Sequence, residues 1–253
     1  MTAPFDPAKP RTLFAVYSGV VSGAPRNPAD GDSAGRSIWT RPQRGARGPA
    51  PTHSRDEIVA AAVALADADG LGAVSMRAVA GALGMAAGSL YRHLSSRDDL
   101  LDLMVDRCVG ELLPYPADDG SWQDRFVLLA RRQLALYRRH PWLPDALTRP
   151  TVPGPNTLAY FDACLGLLRP VRTGVAAKFE AIAMVTGVVS LFARSAAAAG
   201  TVTFDHVDLA AYPHLAAAFA EPPSAPPAED LFERTLRSLL TGLLTPDPPA
   251  RRR

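Results

Sequence analysis

The sequence predicts an all-α protein, in which an N-terminal three-helix domain of the helix-turn-helix type is followed by a C-terminal helical bundle. Beyond about residue 53, apolar residues recur at i, i+3, i+4 and i+7, the period of an amphipathic helix. The periodic segments are interrupted at prolines and glycines, and no alternating strand pattern competes with them. With 47% apolar and 21% charged residues among 253, the chain can build a core and is not globally disordered.

Composition also excludes several classes of protein. No charge-free run of 18 or more apolar residues is present, and the apolar stretch 13–21 is interrupted by Ser18 and Gly19. We therefore expect neither a membrane span nor a signal peptide. We expect the protein to be cytoplasmic. Cys108 and Cys164 fall in apolar helical segments, which argues against a disulfide framework and against a thiolate metal site.

Composition shifts divide the chain into four parts. Residues 1–52 are rich in Pro, Gly, Ser and Ala and predict a disordered tail, whose part next to the folded region, 36–52, is a basic arm. A start assigned too far upstream is the alternative for about the first 35 residues. Residues 53–100 predict the three-helix domain, 101–245 the helical bundle, and 246–253 a second disordered, basic tail.

Cap residues place the helices of the N-terminal domain. Ser54 and Glu57 have the spacing of a capping box at the start of the first helix, which two glycines end. Ser75 caps the second helix, which ends at Gly84. A short third helix follows, and a longer fourth helix begins after another serine cap and runs to Pro114.

The second and third helices, short and joined at Gly84, have the layout of a helix-turn-helix motif, whose second helix enters the DNA major groove. Packing Leu90 and Leu94 inward leaves Arg92 and His93 outward, among small residues and no acid. Such a face suits a polyanion. The alternative is a plain three-helix bundle in which these outward side chains are ordinary solvated residues.

The stretch VSMRAVAGALGMAAGSLYRHLSSRDDLL, preceded by the first helix SRDEIVAAAVALADADG, resembles the TetR family of homodimeric transcriptional repressors. The likeness covers residues 54 to about 101, the family's whole DNA-binding domain, and includes the SLYRHL core. The resemblance implies phosphate contacts by Ser75, Tyr91, His93 and Arg97. It implies base contacts by Arg77, Ser89 and Arg92. Ala87 and Gly88 would lie close to the bases but have no polar side chains.

Elementary chemistry supports these roles. Serine and tyrosine hydroxyls and guanidinium groups donate to phosphates, and such contacts set register without reading sequence. Arginine can donate two hydrogen bonds to guanine in the major groove, so Arg77 and Arg92 are the best candidates for reading bases. Because Ala87 and Gly88 lack polar groups, we expect thymine methyl contacts and DNA shape to contribute to recognition.

The basic arm supplies charge that the three-helix domain lacks. Residues 55–100 carry four arginines and six acidic residues, a net charge of −2. The arm carries four arginines, at positions 36, 41, 44 and 47, and no acid. Its RGARGP stretch resembles arms that read narrow minor grooves, which makes Arg44 and Arg47 candidate DNA contacts. A merely solubilising tail is the alternative.

The C-terminal region predicts a helical bundle that also forms a dimer. Its segments SWQDRF and LTRPT resemble the tetracycline-repressor-like regulatory domain, and this resemblance implies a homodimer through helices 173–199 and 229–244. The first of these is apolar on nearly all sides, as a helix between its own core and a partner would be. The central helix of a monomeric bundle is the alternative. The Pro-rich segment 213–230 is expected to be mobile. The other helical patterns span 121–139, 141–148 and 154–168.

The bundle is expected to hold a small hydrophobic effector. Tetracycline repressors carry a magnesium-binding histidine shortly before the TRP sequence, where this chain has Asp145, so a magnesium–tetracycline ligand is not expected. Histidines at 140, 206 and 214 lack the i, i+4 spacing of a metal pair, and we expect no metal and no cofactor. The large side chains available to line a pocket, each alternatively a core residue, are Trp122, Phe126, Tyr137, Trp142, Tyr160, Phe161, Phe179 and Met184.

These features predict a DNA-binding transcriptional regulator, a homodimeric repressor that binds a near-palindromic operator in duplex DNA and is released by a small hydrophobic ligand. One alternative is a DNA-binding regulator that responds to a partner protein and has no small-molecule effector. The other is an enzyme built on a helical bundle. The sequence contains no phosphate loop, nucleophile elbow or metal pair that would favour an enzyme, so we expect none.

Overall fold

The computed structural model describes residues 38–40, 53–117, 119–197, 208, 211–221 and 230–244. All regular structure in these residues is helical, which confirms the predicted fold class. Two short 3-10 turns lie at Ile38–Thr40 and Leu71–Ala73. The α-helices are α1 Arg55–Asp69, α2 Met76–Ala82, α3 Ala87–Leu90, α4 Arg97–Gly110, α5 Trp122–Arg139, α6 Leu143–Leu147, α7 Pro155–Leu167, α8 Val175–Ala197, α9 Pro213–Ala220 and α10 Leu231–Leu244.

Local sequence signals position the N-terminal helices as expected. Glu57 donates its backbone N–H to the Ser54 hydroxyl over 3.2 Å and accepts the Ser54 N–H over 2.6 Å, which confirms the capping box. The turn between α2 and α3 contains Gly84 at a φ of +62°, a conformation that a β-carbon disfavours. Leu90 and Leu94 are buried, so the opposite side of α3 faces solvent.

Helix α4 belongs to both halves of the molecule. It packs against α1 on the N-terminal side and against α6 and α7 on the C-terminal side. The domain boundary predicted after residue 100 therefore falls inside one continuous helix. One helix thus carries contacts to α1 at one end and to α6 and α7 at the other.

The core of the C-terminal bundle lies between α5, α8 and α10. Phe126 of α5, Ile182 and Val189 of α8, and Leu236 and Leu240 of α10 are among its buried side chains. These positions follow the 3.6-residue period of each helix, which accounts for their prediction as helices. The observed helices are shorter than the predicted ones by one to two residues at most ends, since caps and turns occupy the flanking positions.

The N-terminal tail is not uniformly separate from the core. Ile38 is buried, and the indole Nε1 of Trp39 donates a hydrogen bond to the backbone oxygen of Val152 over 3.0 Å. The prediction that residues 1–52 form only a disordered tail is therefore wrong at these two positions. Two adjacent large apolar side chains bury enough surface to dock a short segment without any helical period. The remaining residues of the tail lie outside the described part of the chain, as do residues 246–253.

The segment predicted to be mobile contains helix α9, Pro213–Ala220. Proline is favourable in the first turn of a helix because its φ is already helical and its missing N–H has no partner there. Three consecutive alanines then extend the helix. The prolines that suggested mobility follow residue 221, so they lie beyond this helix and do not prevent it.

Helix α8 has the length and apolar composition of a membrane span over Val175–Ser195, and 22% of that window is buried. Taken alone, one such helix is weak evidence for a membrane protein. This stretch includes Lys178, Glu180 and Arg194, and the helix packs against α5 and α10. The exposed side of α8 is also apolar and includes Met184 and Leu191.

Candidate DNA-binding surface and regulatory domain

The start of α2 presents a hydroxyl and a guanidinium on the surface. The Ser75 hydroxyl caps α2 by accepting the Ala78 N–H over 3.1 Å, which leaves its own hydrogen available to a phosphate. Arg77, in the first turn, is exposed. Its guanidinium forms no hydrogen bond or ion pair with another described residue. This end of α2 therefore offers two donors to an external acceptor.

Helix α3 presents an open and uncrowded outer face. A β-carbon placed at Gly88 would meet no atom within 4 Å, so DNA could approach the backbone closely there. Tyr91 caps the C-terminal end of α3 with its ring 58% exposed, and Arg92 is exposed beside it. The Arg92 guanidinium, like that of Arg77, has no hydrogen-bond partner among the described residues. Ala87 and Ser89 are half-buried at the edge of this face.

His93 lies half-buried behind Arg92. Its backbone oxygen accepts a hydrogen bond from Arg55 of α1 over 3.4 Å. Burial, and then the neighbouring positive charges of Arg55 and Arg92, lower the pKa of the His93 imidazole below its usual value. In the absence of DNA, the ring is therefore protonated less readily than an ordinary histidine.

Arg97 forms two hydrogen bonds within the domain. Its Nε donates to the backbone oxygen of Val74 over 2.7 Å, and its Nη2 donates to that of Leu71 over 3.0 Å. These bonds fasten the start of α4 to the turn before α2. Arg97 is nevertheless exposed, and a guanidinium has five N–H donors, so the phosphate contact implied for Arg97 stays a prediction. Arg44 and Arg47 lie outside the described residues.

The predicted pocket residues divide into several environments. Phe126, Tyr137, Trp142 and Tyr160 are buried in the bundle, and Trp122 is half-buried at the start of α5. The half-buried rings of Phe161 and Phe179 have their centroids 6.0 Å apart, so α7 and α8 are joined by an aromatic contact. Met184 is 43% exposed on the outer side of α8. It does not line the cavity described next.

A cavity of about 490 Å³ opens where α5, α6 and α8 meet. Tyr137 is the predicted pocket residue that lines it. Asp145 and Arg194, both exposed, form an ion pair at its wall, so the residue that stands in place of the magnesium-binding histidine is paired with an arginine of this chain. The lining consists of Tyr137, Arg138, Pro141, Pro144, Asp145, Ala193 and Arg194.

A buried chain of hydrogen bonds connects this cavity to the centre of the bundle. Gln133 donates its amide N–H to the hydroxyl of Tyr137 over 2.8 Å and accepts the hydroxyl of Tyr160 over 3.3 Å. Buried polar groups of this kind are costly unless they are paired. Here they are paired with one another, and they would offer an entering ligand a few oriented polar groups in apolar surroundings.

Two buried carboxylates of α4 hold the loop between α6 and α7. Asp102 accepts from Arg149 over 2.5 Å and from the Val152 N–H over 3.2 Å. Burial raises the pKa of the Asp102 carboxyl, and Arg149 opposes that rise. Asp106 accepts from the backbone N–H of Thr157 over 2.8 Å and thereby caps α7 from a neighbouring helix. The loop is thus fastened to the helix that enters the three-helix domain.

The C-terminal end of α5 is also joined to α1. One carboxylate oxygen of Asp67 accepts from Nδ1 of His140 and from the indole Nε1 of Trp142, each over 2.7 Å. The other ring nitrogen of His140 lies 3.2 Å from a carboxylate oxygen of Glu111, close to the Cys108 thiol. This cluster was not predicted from the sequence. Its only local signal is the i, i+3 spacing of Cys108 and Glu111 at the end of α4.

Comparison with known proteins agrees with the two halves of this structure. Residues 58–104 match the family described as bacterial regulatory proteins, tetR family, and residues 113–246 match the tetracyclin repressor-like C-terminal domain. These two domains define a bacterial regulatory protein that combines a helix-turn-helix domain with a helical regulatory domain. The chain belongs to the TetR family, and the resemblance noted in its sequence is confirmed. The family consists of transcriptional regulators, which are not enzymes.

Three similar proteins illustrate the relationship. The HTH-type transcriptional repressor DrrR1 of Streptomyces coeruleorubidus is 42% identical over 160 residues, which cover 62% of this chain and 59% of the relative. The chain thus spans about three fifths of that relative's length. A possible TetR family transcriptional regulator of Streptomyces coelicolor A3(2) is 30% identical, with a TM-score of 0.59, over 75% of this chain and 98% of the other. The TetR family protein ActR of Streptomyces coelicolor, in complex with (S)-DNPA, is 27% identical with a TM-score of 0.62, over 78% and 98%.

Proposed function

We propose that this protein is a homodimeric repressor in the bacterial cytoplasm that binds a near-palindromic operator and is released from it by a small hydrophobic ligand. The observation that carries the DNA-binding part is the outer face of α2 and α3. It presents Arg77, Arg92 and Tyr91 to solvent, and neither arginine is engaged within the described residues. An exposed arginine without a partner inside the protein can donate two hydrogen bonds to guanine in the major groove. The repressor name of the relative DrrR1 supports the direction of regulation.

The dimer part of the proposal rests on the exposed side of α8. Residues 181–193 of this helix contain no charged side chain, although Met184 and Leu191 are 43% and 62% exposed. Leu231 of the neighbouring α10 is also exposed. An exposed apolar helix face without charged side chains, such as this face of α8, is typical of the core of a homodimer interface. Two copies joined along α8 and α10 would place two α3 helices on one duplex.

Replacing Leu191 by Glu tests this interface. The buried charge should convert a dimer into a monomer in analytical ultracentrifugation at micromolar concentration. Leu158→Glu is the matched control, because Leu158 is an exposed leucine on α7, away from the proposed interface. A Leu191→Glu protein that stays dimeric would contradict this interface.

The ligand part rests on the cavity beside Tyr137. Its volume of about 490 Å³ falls within the range of sites for drug-sized molecules. Proline and alanine side chains supply apolar walls, while Tyr137 and the Asp145–Arg194 pair supply polar ones. The complex of the related ActR with (S)-DNPA supports a small molecule as the effector class.

The contacts around the cavity suggest how a ligand would act on DNA binding. Pro141, Pro144 and Asp145 line it, and this same segment contains Trp142, which donates to Asp67 of α1. The loop that follows is held by Asp102 of α4. A ligand that shifts α6 would therefore displace Trp142 relative to α1 and the following loop relative to α4. The ligand releases the operator if it binds more tightly to a dimer whose two α3 helices are wrongly spaced for DNA than to the dimer that binds DNA.

Footprinting tests the proposal as a whole. We expect protection of two inverted half-sites about one helical turn, roughly 34–36 Å, apart or somewhat more. A ligand from a library of apolar aromatic compounds should raise the melting temperature, since a molecule that binds only the native state must stabilise it. The same ligand should abolish the footprint. Protection of a single half-site by a monomer would contradict the proposed assembly.

A further inference from the structure

The junction between the two domains brings together three side chains with metal-binding donor atoms. The thiol of Cys108, a carboxylate oxygen of Glu111 and a ring nitrogen of His140 all lie within 4.8 Å of one another. Donor atoms bound to one zinc ion lie about 3.2–3.8 Å apart, given zinc–ligand distances of 2.0–2.3 Å and tetrahedral angles. The pair formed by His140 Nε2 and Glu111 Oε1 is already at 3.2 Å. The Cys108 Sγ, within 4.8 Å of both, is the donor that must move closer.

The backbone positions these donors in a way that suits a metal. Cys108 and Glu111 are three residues apart and share a face at the end of α4. His140 caps the C-terminal end of α5, and its main-chain N–H bonds to Leu136 over 2.9 Å, so its ring is held at a fixed point. Two separate helices thus supply the donors, as is usual for a site that joins elements of a fold.

Asp67 completes the arrangement from the other side of the imidazole. Its carboxylate lies 2.7 Å from Nδ1 of His140, so the hydrogen on that nitrogen is fixed and Nε2 faces Glu111 and Cys108. Histidines that bind metals commonly donate their other N–H to a carboxylate in this way, which orients the ring and makes it a better ligand. The Trp142 indole, bonded to the same Asp67 oxygen, fixes the carboxylate in turn.

Burial and charge are compatible with an ion at this point. Cys108 and His140 are buried, whereas the side chain of Glu111 is 33% exposed and provides a path from solvent. Burial raises the pKa of the Cys108 thiol to about 12, so binding must displace the thiol proton. The displaced thiol proton leaves to solvent. Glu111 and Asp67 then offset the charge of the ion.

From this geometry we propose that Cys108, Glu111 and His140 bind a zinc ion at the domain junction, with Asp67 as the residue that orients His140. A thiolate, an imidazole and one carboxylate select zinc over magnesium or calcium, which prefer oxygen ligands only. Three protein ligands leave a fourth position for water or a small solute. The ion would join α4 and α5 directly and α1 through Asp67, and would stiffen the contact through which the two domains communicate.

Cobalt provides a spectroscopic test on the full chain, freed of metal with a chelator. We expect one Co²⁺ per chain, with the near-ultraviolet band of sulfur-to-cobalt charge transfer, and displacement of the cobalt by zinc. Cys108→Ser should abolish the band. Cys164→Ser is the matched control, since Cys164 is the other buried cysteine and lies on α7, and the band should persist there.

Two further variants keep the proposal falsifiable if Cys108→Ser does not fold. Glu111→Gln changes a partly exposed ligand and should weaken zinc binding measured by competition with a chromophoric chelator. Asp67→Asn keeps an oxygen for Trp142 and should weaken zinc about 10–100-fold, the usual effect of removing an outer carboxylate. Absence of the band in the wild-type chain, or equal zinc affinity in the wild type and both variants, would overturn the proposal. None of these measurements depends on DNA binding.

Discussion

Two arginines only five residues apart show how side-chain surroundings separate function from stability. Arg92 is exposed and forms no hydrogen bond or ion pair within the described residues. Arg97 donates to the backbone oxygens of Val74 and Leu71. Because an arginine can donate to a base, to a phosphate or to an internal carbonyl, its type alone does not decide its role. The hydrogen-bond partners within the fold add the missing information. They predict that the two substitutions differ in their effect on stability.

Replacing Arg97 by Ala should destabilise the protein. The variant lacks two charge-assisted hydrogen bonds to backbone oxygens, so we expect the free energy of unfolding to fall by about 1–3 kcal/mol in total. Chemical denaturation measures this change. Arg92→Ala is the control, with unchanged stability expected. Equal stability of the two variants would show that Arg97 is not a structural clamp.

Replacing Arg92 by Ala should weaken operator binding by about 1–3 kcal/mol and relax the preference at one base position. The reason is the removal of a group that can donate two hydrogen bonds to guanine. Binding to a set of operators with single substitutions measures the effect. Tyr91→Phe, which removes an exposed hydroxyl, should instead weaken binding about equally on every sequence. A uniform decrease for Arg92→Ala would reassign it to a phosphate.

At the scale of helices, ion pairs fix α10 on α5. Arg237 of α10 donates to Asp124 of α5 over 2.6 Å and to Glu233 on its own helix over 2.7 Å. Arg131 of α5 donates to the same Glu233 over 2.8 Å. These contacts lie at the rim of the apolar interface that holds the two helices together. Exposed ion pairs contribute little individually, but several that share partners restrict how the helices sit on each other.

This network should make part of the stability depend on pH. Hydrogen bonds from Ser121 and Arg237 lower the pKa of Asp124, and bonds from Arg131 and Arg237 lower that of Glu233. Since both folded-state values are below the ordinary 3.8 and 4.5, the contribution is present above those ordinary values and disappears as the pH falls through the folded-state values.

The variant Arg237→Gln makes this dependence measurable. Its deficit in unfolding free energy relative to the wild type should be present above the ordinary carboxyl values of 3.8 and 4.5 and should shrink as the pH falls below them, through the lowered folded-state values. Denaturant titrations across that range provide the comparison. Arg234→Gln, on the same helix and without an ion pair among the described residues, should show no such trend. A deficit that does not vary with pH would indicate altered packing and not altered charge.

At the scale of the whole molecule, the N-terminal segment contacts the loop between α6 and α7. Trp39 bonds to Val152 in the loop that Asp102 of α4 also holds. A β-carbon at Gly154 would collide with both Trp39 and Asp106, so a glycine there allows the close approach of three elements. The segment that contains the basic arm is therefore anchored at Trp39, and residues 41–52, between this anchor and α1, lie outside the described part of the chain.

Two truncations should separate anchoring from DNA binding. Deleting residues 1–35 should leave stability unchanged, whereas deleting residues 1–52 should lower it by about 1.5–3 kcal/mol, the value of burying one large aliphatic side chain such as Ile38. Thermal and denaturant unfolding of the two proteins measure the difference. Equal stabilities would show that the docking of Ile38 and Trp39 contributes nothing.

Neutralising the arm without removing its anchor tests its contact with DNA. Replacing the four arginines at 36, 41, 44 and 47 by Gln should reduce the slope of log affinity against log salt by roughly 2–3.5, about 0.9 for each phosphate that is no longer neutralised. The anchor residues are unchanged in this variant. A salt titration on one operator compares it with the wild type. Equal slopes would mean that the arm does not touch DNA.

Features that depend on neighbouring residues could be predicted from the sequence. The capping box at Ser54, the cap at Ser75 and the turn at Gly84 each involve residues within a few positions of one another, and all three are confirmed. The all-helical fold and the family follow from the same local periodicity and from one long motif. These properties are determined by backbone sterics and by hydrogen bonds that close over three or four residues.

Tertiary structure alone decided the contacts between residues far apart in the chain. Arg97 meets carbonyls 23 and 26 residues away, Trp39 meets one 113 residues away, and His140 lies 29 residues from Glu111 and 73 from Asp67. No local period encodes such pairs, because they depend on how whole helices pack. The sequence by itself therefore determined the helices and the reading motif. The packing decided which arginine forms hydrogen bonds within the fold, and where the domains are joined.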